Sequence, residues 1–456
     1  MAVAAFATAT MMAGGLMTNT NYHIAFDRMM ARGATLDIDA AYSNPAGLAW
    51  GHEGFQLSLN FQKPWQYRDI ELTSNGQKKL FEGKASAPIV PALFASYKKD
   101  RWAVSTMIGI VGSGGFVEYK EGVPEYNLMV QSVLGAIIPQ INQLPGINVP
   151  GDYTLDSEMK GKQYIYGGQV NFTYKILDCL SAAVGMRVNY YDGYYRGHVI
   201  ANAQNEYGQL AKLMLDVDQK GWGFTPMISV NYHKGPLTLT ARYEFRTKLN
   251  PENKTNILDA GLGNGLVAKV AAVPVYGEAT LVKIKEALGP QLAAVTAPFQ
   301  DGAHTRYDMP ALLSVAAGYE FTPKLRATLE YHFFDDKNAK MADNRQEKLK
   351  HGTHEFLAGV EYDINEKFTV SCGGQRTDYG LSDDYEQNTS FACDSYSIGL
   401  GAAVKLTDKI RLNAGYFCSI YDDYKKQCVP TRDGYAGTEN YSRTNHVIGL
   451  GVDFKF

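Results

Sequence analysis

The sequence predicts an all-β fold: a 14-stranded antiparallel transmembrane β-barrel with an N-terminal plug, or hatch, and helical segments in long extracellular loops. Three observations carry this expectation. Apolar and polar residues alternate over long runs, six very short turns alternate with seven longer connections, and no stretch supplies the roughly 18 consecutive apolar residues of a membrane-crossing helix. The balance of 44 Lys and Arg against 47 Asp and Glu, a net charge of -3, gives no reason to expect a nucleic-acid partner. Charged residues make up 20%, below the roughly 25% of ordinary soluble chains, and Tyr reaches 30 copies against 20 Phe and 4 Trp.

The chain opens with a small, apolar stretch, Met1 to Met17, in which Ala7-Thr8-Ala9 has the look of a signal-peptide cleavage site, although no Lys or Arg precedes Arg28. Residues 1–15 are therefore read as a signal-peptide remnant, with a short buried helix as the alternative. Residues 16–52 lack clear alternation, contain the turn-prone Ser43-Asn44-Pro45-Ala46-Gly47, and precede the first strand, so they are expected to plug the lumen as a hatch. A periplasmic tail is the alternative. Residues 53–456 are assigned to the barrel.

Strand periodicity is plain from Phe55-Gln56-Leu57-Ser58-Leu59-Asn60-Phe61-Gln62 onward, and it returns at Leu180–Tyr190, Leu237–Phe245 and His446–Phe456. A soluble sandwich also alternates, so length and spacing decide. The segments run about 11 to 16 residues, against a mode of about 5 to 6 for globular strands. Short turns are expected at 98–100, 176–178, 234–235, 322–324, 363–366 and 407–408, and longer connections at 67–85, 113–161, 196–216, 250–307, 336–351, 379–390 and 422–442. Six and seven connections make fourteen strands, with short periplasmic turns and long extracellular loops. Trp65, Tyr97, Trp102, Tyr174, Tyr232, Tyr319 and Tyr362 fall near strand ends, where interfacial girdles belong.

The lumen and loops supply the candidate ligand contacts. Parity places Arg187, Arg242, Glu244 and His332 on the polar face, and Arg187 or Arg242 is a candidate for holding a carboxylate through two parallel hydrogen bonds. The competing expectation is that these arginines pair with Glu244 or anchor the plug. Two long loops are unusually apolar, with Leu134 and Ile138 in one and Val270 and Leu281 in the other. Facing each other as amphipathic helices they would offer a groove for an acyl chain, each buried CH2 contributing about 0.8 kcal/mol; alternatively they pack together and cap the barrel. Gly167-Gly168 and Gly373-Gly374 interrupt regular strands, permitting a wall kink or a close backbone approach.

Chemistry is not indicated. The chain has no G-x-S-x-G, no H-E-x-x-H and no phosphate-binding G-x-x-x-x-G-K, and its five cysteines show no zinc spacing. Neither enzymatic activity, a metal nor a cofactor is expected, and Cys393 and Cys428 are left open as a disulfide or as two thiols.

The run Gly33-Ala34-Thr35-Leu36-Asp37-Ile38-Asp39-Ala40-Ala41-Tyr42-Ser43-Asn44-Pro45-Ala46-Gly47-Leu48 resembles the FadL/TodX family of outer-membrane hydrophobic-compound transporters, in which an Asn-Pro-Ala triplet marks the hatch. Gly451, Phe454 and Phe456 resemble the ending by which the barrel assembly machinery recognises its substrates. The resemblance implies a monomer in the bacterial outer membrane, among its lipids and lipopolysaccharide. It also implies passive uptake of long-chain fatty acids or other hydrophobic molecules, with capture in a loop groove, a hatch at Asn44, Pro45 and Ala46, and lateral release. A general diffusion porin, or a surface barrel with a structural or adhesin role, is the alternative.

Overall fold

In the computed structural model, residues 22–87 and 89–456 are described; the expected signal remnant 1–15 and hatch residues 16–21 lie outside them. Burial along the first strand inverts the soluble pattern: Gln56, Ser58, Asn60 and Gln62 are buried, whereas Phe55 and Phe61 are exposed. A surface of that kind is stable only where lipid replaces water outside.

Fourteen strands close the wall. They are β1 (Gly54–Ser74), β2 (Gln77–Phe81, Gly83–Ser86 and Val90–Lys99), β3 (Trp102–Tyr119), β4 (Thr154–Leu177), β5 (Leu180–Asn202), β6 (Gln209–Lys234) and β7 (Leu237–Glu244 and Glu252–Leu262). They continue as β8 (Leu312–Thr322), β9 (Leu325–Phe334), β10 (Thr353–Asp363), β11 (Phe368–Asp378), β12 (Ser395–Thr407), β13 (Ile410–Tyr421 and Tyr424–Cys428) and β14 (Gly437–Lys455). Neighbours pair antiparallel, and β1 closes on β14 from Gln56↔Lys455 to Thr73↔Thr438. Closure gives backbone donors and acceptors partners within the wall, which lipid cannot supply.

All six short turns fall where the spacing places them, but several connections are shorter than expected because the strands continue above the membrane. β4, β5 and β6 reach 24, 23 and 26 residues. The expected loops 67–85, 196–216 and 422–442 are largely strand. Their alternation is disguised because its polarity flips. On β6 the outward residues are Trp222, Phe224, Ile228 and Val230 in the lower part but Lys212, Asp216, Asp218 and Lys220 above; the inward ones change from Thr225, Ser229 and Asn231 to Leu213, Leu215 and Val217. The switch between Lys220 and Trp222 marks the outer membrane surface. Above it the strands form a water-facing collar with an apolar interior.

Three helices lie within that collar: α3 (Pro124–Ile141), α4 (Asn264–Ala271) and α5 (Gly277–Thr296). The helical loop segments expected from sequence are therefore present, and they share one buried apolar cluster with Leu213, Leu215 and Val217. Inside the barrel, α1 (Ile24–Met29) packs against β10 to β14, whereas the 3-10 turn Pro45–Trp50, which follows α2 (Ala40–Ser43), packs against β3 to β6. One short segment thus reaches from one side of the lumen to the other.

Candidate functional site

Local sequence explains the inner segment. Asn44 caps the turn Pro45–Trp50, its Oδ1 accepting from Gly47 N–H at 3.2 Å, and Pro45 occupies the first position, where a missing N–H costs nothing. Asn44 Nδ2 also donates to Thr35 C=O at 3.0 Å and to Asn231 Oδ1 at 2.8 Å. The wall satisfies the rest: Thr173 Oγ1 donates to Pro45 C=O at 2.8 Å, Ser181 Oγ donates to Ala46 C=O at 2.6 Å, and Ala46 N–H donates to Ser229 Oγ at 3.0 Å. The Asn44-Pro45-Ala46 triplet is thereby latched to β4, β5 and β6 beside their short turns.

The other half is held by charge. Arg28 pairs with Glu361 and donates to Ser371 at 2.8 Å, both on the wall. Arg32 forms a bidentate pair with Asp39 at 2.6 and 3.0 Å within the segment, and Glu330 Oε2 accepts from the Arg32 and Gly33 N–H groups at 2.8 and 2.7 Å. Glu330 is oriented by His332, which sits between it and Glu355 at 2.6 and 2.9 Å. His332 thus belongs to the seat of the plug.

Arg187 and Arg242 face the lumen as parity requires, and both flank Glu244. Arg242 also donates to the Tyr42 carbonyl, and both guanidinium groups lie over the Tyr42 ring, at 5.8 Å for Arg187 and 4.8 Å for Arg242. The geometry is that of the competing expectation: both arginines are paired with Glu244 and both contact the inner segment at Tyr42. Tyr42, absent from the candidates, is the residue that joins them. Its immediate position before Ser43-Asn44-Pro45 is the signal that points to it.

In the collar, Leu134, Ile138, Val270 and Leu281 are all buried in the shared core. The open space lies on adjoining faces. One crevice is lined by Met129, Val130 and Val133 of α3, Leu288 and Leu292 of α5, and Leu213 of β6. A second, lined by Tyr126, Met159, Val199, Leu215, Leu258 and Phe299, shares Leu213 and Val295 with the first. Neither is lined by Arg187 or Arg242. The β6 lining was hidden from sequence because Leu213, Leu215 and Val217 carry the inverted phase. Elsewhere, Cys179, Cys372, Cys393, Cys418 and Cys428 are free, so Cys393 and Cys428 stand as thiols.

Apart from short gaps at Glu82 and at 422–423, the described wall is interrupted in two places, neither of them at a glycine pair. β2 is interrupted between Gly83–Ser86 and Val90–Lys99, and β3 beside it slips register against its other neighbour, β4, between Ile110 and Gly112 and again between Ser113 and Gly115. β7 is interrupted between Glu244 and Glu252. Gly167 and Gly373 stay in register with their neighbours and instead admit close packing, of Val111 and Arg187 on the first and of the Met29 backbone on the second.

Comparison with known proteins agrees with this architecture. A family model described as "Outer membrane protein beta-barrel domain" matches residues 270–456. No curated protein sequence matches. Among solved structures, a Pseudomonas aeruginosa FadL homologue superposes with a TM-score of 0.67 at 14% identity, covering 97% of this chain and 100% of its own. The Pseudomonas putida toluene transporter TodX gives 0.58 at 11% identity, covering 97% and 100%, and the Ralstonia pickettii toluene transporter TbuX gives 0.50 at 12%, covering 92% and 94%. The chain has the β-barrel fold of that FadL homologue and those toluene transporters, and its residues 270–456 match the outer-membrane barrel model.

Proposed function

We propose that this protein carries hydrophobic molecules passively across the outer membrane, with long-chain fatty acids as its substrate class and residues 16–52 as its hatch. The observation that carries the reading is the pairing of a plugged lumen with slender apolar crevices between α3, α5 and β6. A crevice lined by aliphatic side chains suits an alkyl chain, whose burial contributes about 0.8 kcal/mol per CH2. The FadL and toluene-transporter names of the structural relatives support a hydrophobic cargo in general.

Arg187 and Arg242 give the hatch a chemical trigger. A carboxylate head reaching them competes with the Tyr42 carbonyl for Arg242 and with Glu244 for Arg187. Its arrival would free Tyr42, and with it the adjoining Asn44-Pro45-Ala46 latch. The break between β2 and β3 is the point of sideways release, since these two strands are not paired with each other between Ser86↔Phe116 and Leu93↔Ile108.

The test is uptake of labelled oleate by cells lacking their own transporter, at equal outer-membrane abundance. Uptake by the intact chain that changes when Asn44-Pro45-Ala46 is replaced by glycines supports the reading. No oleate uptake, with hydrocarbon uptake retained, replaces the substrate class; uptake of neither rejects transport.

A further inference from the structure

The second wall break has a different character from the first. β6 pairs with β7 along 227–234 and again along 211–220, but residues 221–226 between them have no strand on that side. Among the described residues, one backbone bond crosses, from Phe245 N–H to Pro226 C=O at 3.0 Å. The facing residues of β7, 245–251, separate from β6 while keeping their other neighbour in the register of Glu244↔Leu312: Thr247 bridges Met309, Tyr307 N–H donates to Leu249 C=O at 3.0 Å, and Thr305 N–H donates to Pro251 C=O at 2.9 Å. Pro226 has no N–H to lose, and Gly221 and Gly223 leave room for the displaced chain. A Cβ on Gly223 would meet Leu249 and the Lys248 carbonyl at 2.9 Å.

The notch is closed from within. Thr225 and Thr247 hydroxyls bond each other behind it, and Leu249 is buried. It is therefore a shallow, open depression in the outer surface, lined by Trp222, Phe224, Pro226, Phe245, Arg246 and Lys248. The polarity switch on β6 sets its height, because Trp222 is the first apolar outward residue below Lys220. Aromatic and apolar groups point into the acyl region, and the two cations stand at the extracellular end, since β7 rises from Phe245 towards Lys248.

We propose that this notch binds a phosphate-bearing glycolipid of the outer leaflet, that is, the lipid A portion of lipopolysaccharide. A free strand edge facing hydrocarbon is unfavourable, and an amphiphile with acceptor oxygens at its head can meet both the edge and the cations. Charge complementarity selects an anion. Asp308 already holds Arg306 at 2.9 and 3.0 Å and lies 3.7 Å from Arg246, which also donates to Asn338 C=O; Lys248 is exposed and makes no ion pair among the described residues. The acyl chains lie along Phe224, Pro226 and Phe245, and a phosphate sits between Lys248 and Arg246. Height and charge favour this lipid over a transported substrate, because the Thr225–Thr247 bond and the buried Leu249 stand between the depression and the lumen.

Native mass spectrometry of the full-length barrel released from detergent, titrated with diphosphoryl lipid A, tests the assignment, with heat-shifted gel mobility checking that each variant is folded. The expected result is a discrete adduct whose affinity falls at least tenfold in Lys248→Glu and in Trp222→Ala and is unchanged in Lys425→Glu, an exposed lysine elsewhere on the collar. Dephosphorylated lipid A should bind at least tenfold more weakly. Equal binding by wild type and folded Lys248→Glu, or by phosphorylated and dephosphorylated lipid, overturns the proposal. Equal binding of phosphatidylglycerol overturns it too, because the notch is then a general anionic-lipid surface.

Discussion

Arg242 links the barrel wall to the hatch through a single carbonyl, that of Tyr42, and this makes it the most informative residue to change. A hydrogen bond from a charged group contributes about 1.5–3 kcal/mol, so removing one from a bound carboxylate corresponds to roughly tenfold or more in affinity. Arg242→Ala should therefore lower oleate uptake about tenfold while leaving uptake of an alkane of similar length within about twofold; equal losses for both would show that Arg242 acts only on the hatch. Asn44→Ala asks a separate question. It removes the cap from Gly47 N–H and the bonds to Thr35 and Asn231, all buried, which should cost the segment about 1–3 kcal/mol. Limited proteolysis should then cut within residues 30–50, where the wild type resists. Parity alone placed Arg187, Arg242, Glu244 and His332 in the lumen, because a strand's period fixes which way a side chain faces. It could not reveal that Arg242 meets Tyr42 two hundred positions earlier, since the plug has no period and its seat is set by the closed wall.

At the scale of elements, α1 and the loop around Glu386 show why short segments escape sequence reading. Helix α1 has six residues, too few for a readable amphipathic pattern, and it is placed by what the wall lacks. A Cβ at Gly359, Gly373 or Gly399 would run into the backbone of Met29 or Asp27, so glycines on β10, β11 and β12 form a flat seat for the helix backbone. The Gly373-Gly374 pair was visible in the sequence as a place for close approach, but what approaches it was not. Gly399→Ala should raise α1 from its seat while leaving the barrel's heat-shifted gel mobility intact, and the check is faster hydrogen exchange in 24–30. In the extracellular loop, Arg345 donates to Tyr385 C=O at 2.6 Å and to Ser390 at 2.8 and 2.7 Å, and Lys426 donates to Glu386 C=O at 2.8 Å. Burial pushes the Glu386 carboxyl up to about 8, against the opposing pull of Arg345, the Ala392 N–H, Lys426 and Arg443. Because the folded value lies above the ordinary carboxylate range of about 4.3, its contribution is fully present in acid and is lost as pH rises through about 8. Exchange in 385–393, corrected for intrinsic rate, should accelerate between pH 6 and pH 9, and Glu386→Gln should flatten that dependence.

For the molecule as a whole, the decisive property is whether the barrel conducts. Fourteen strands enclose more space than wall side chains can fill, so an unobstructed barrel would behave as a diffusion porin. The segment from Ile24 to Trp50 instead spans the lumen, with its termini latched to opposite walls by Arg28 to Glu361 on one side and by Asn44, Pro45 and Ala46 on the other. The strand count and turn spacing were legible because closure demands an even, alternating arrangement; the plug was legible by position and by its Asn44-Pro45-Ala46 motif, but the wall partners of that motif and the Arg28–Glu361 anchor were not. Their separation yields the last expectation. In planar bilayers the intact protein should be nearly silent, whereas Arg28→Ala combined with Ala46→Gly and Ser181→Ala, which loosens both anchors, should produce frequent porin-like steps. Loosening one anchor alone should give brief, incomplete openings, because the other still holds the segment across the lumen. Large steady steps from the wild type would place the chain among diffusion porins and remove the need for a substrate-coupled hatch.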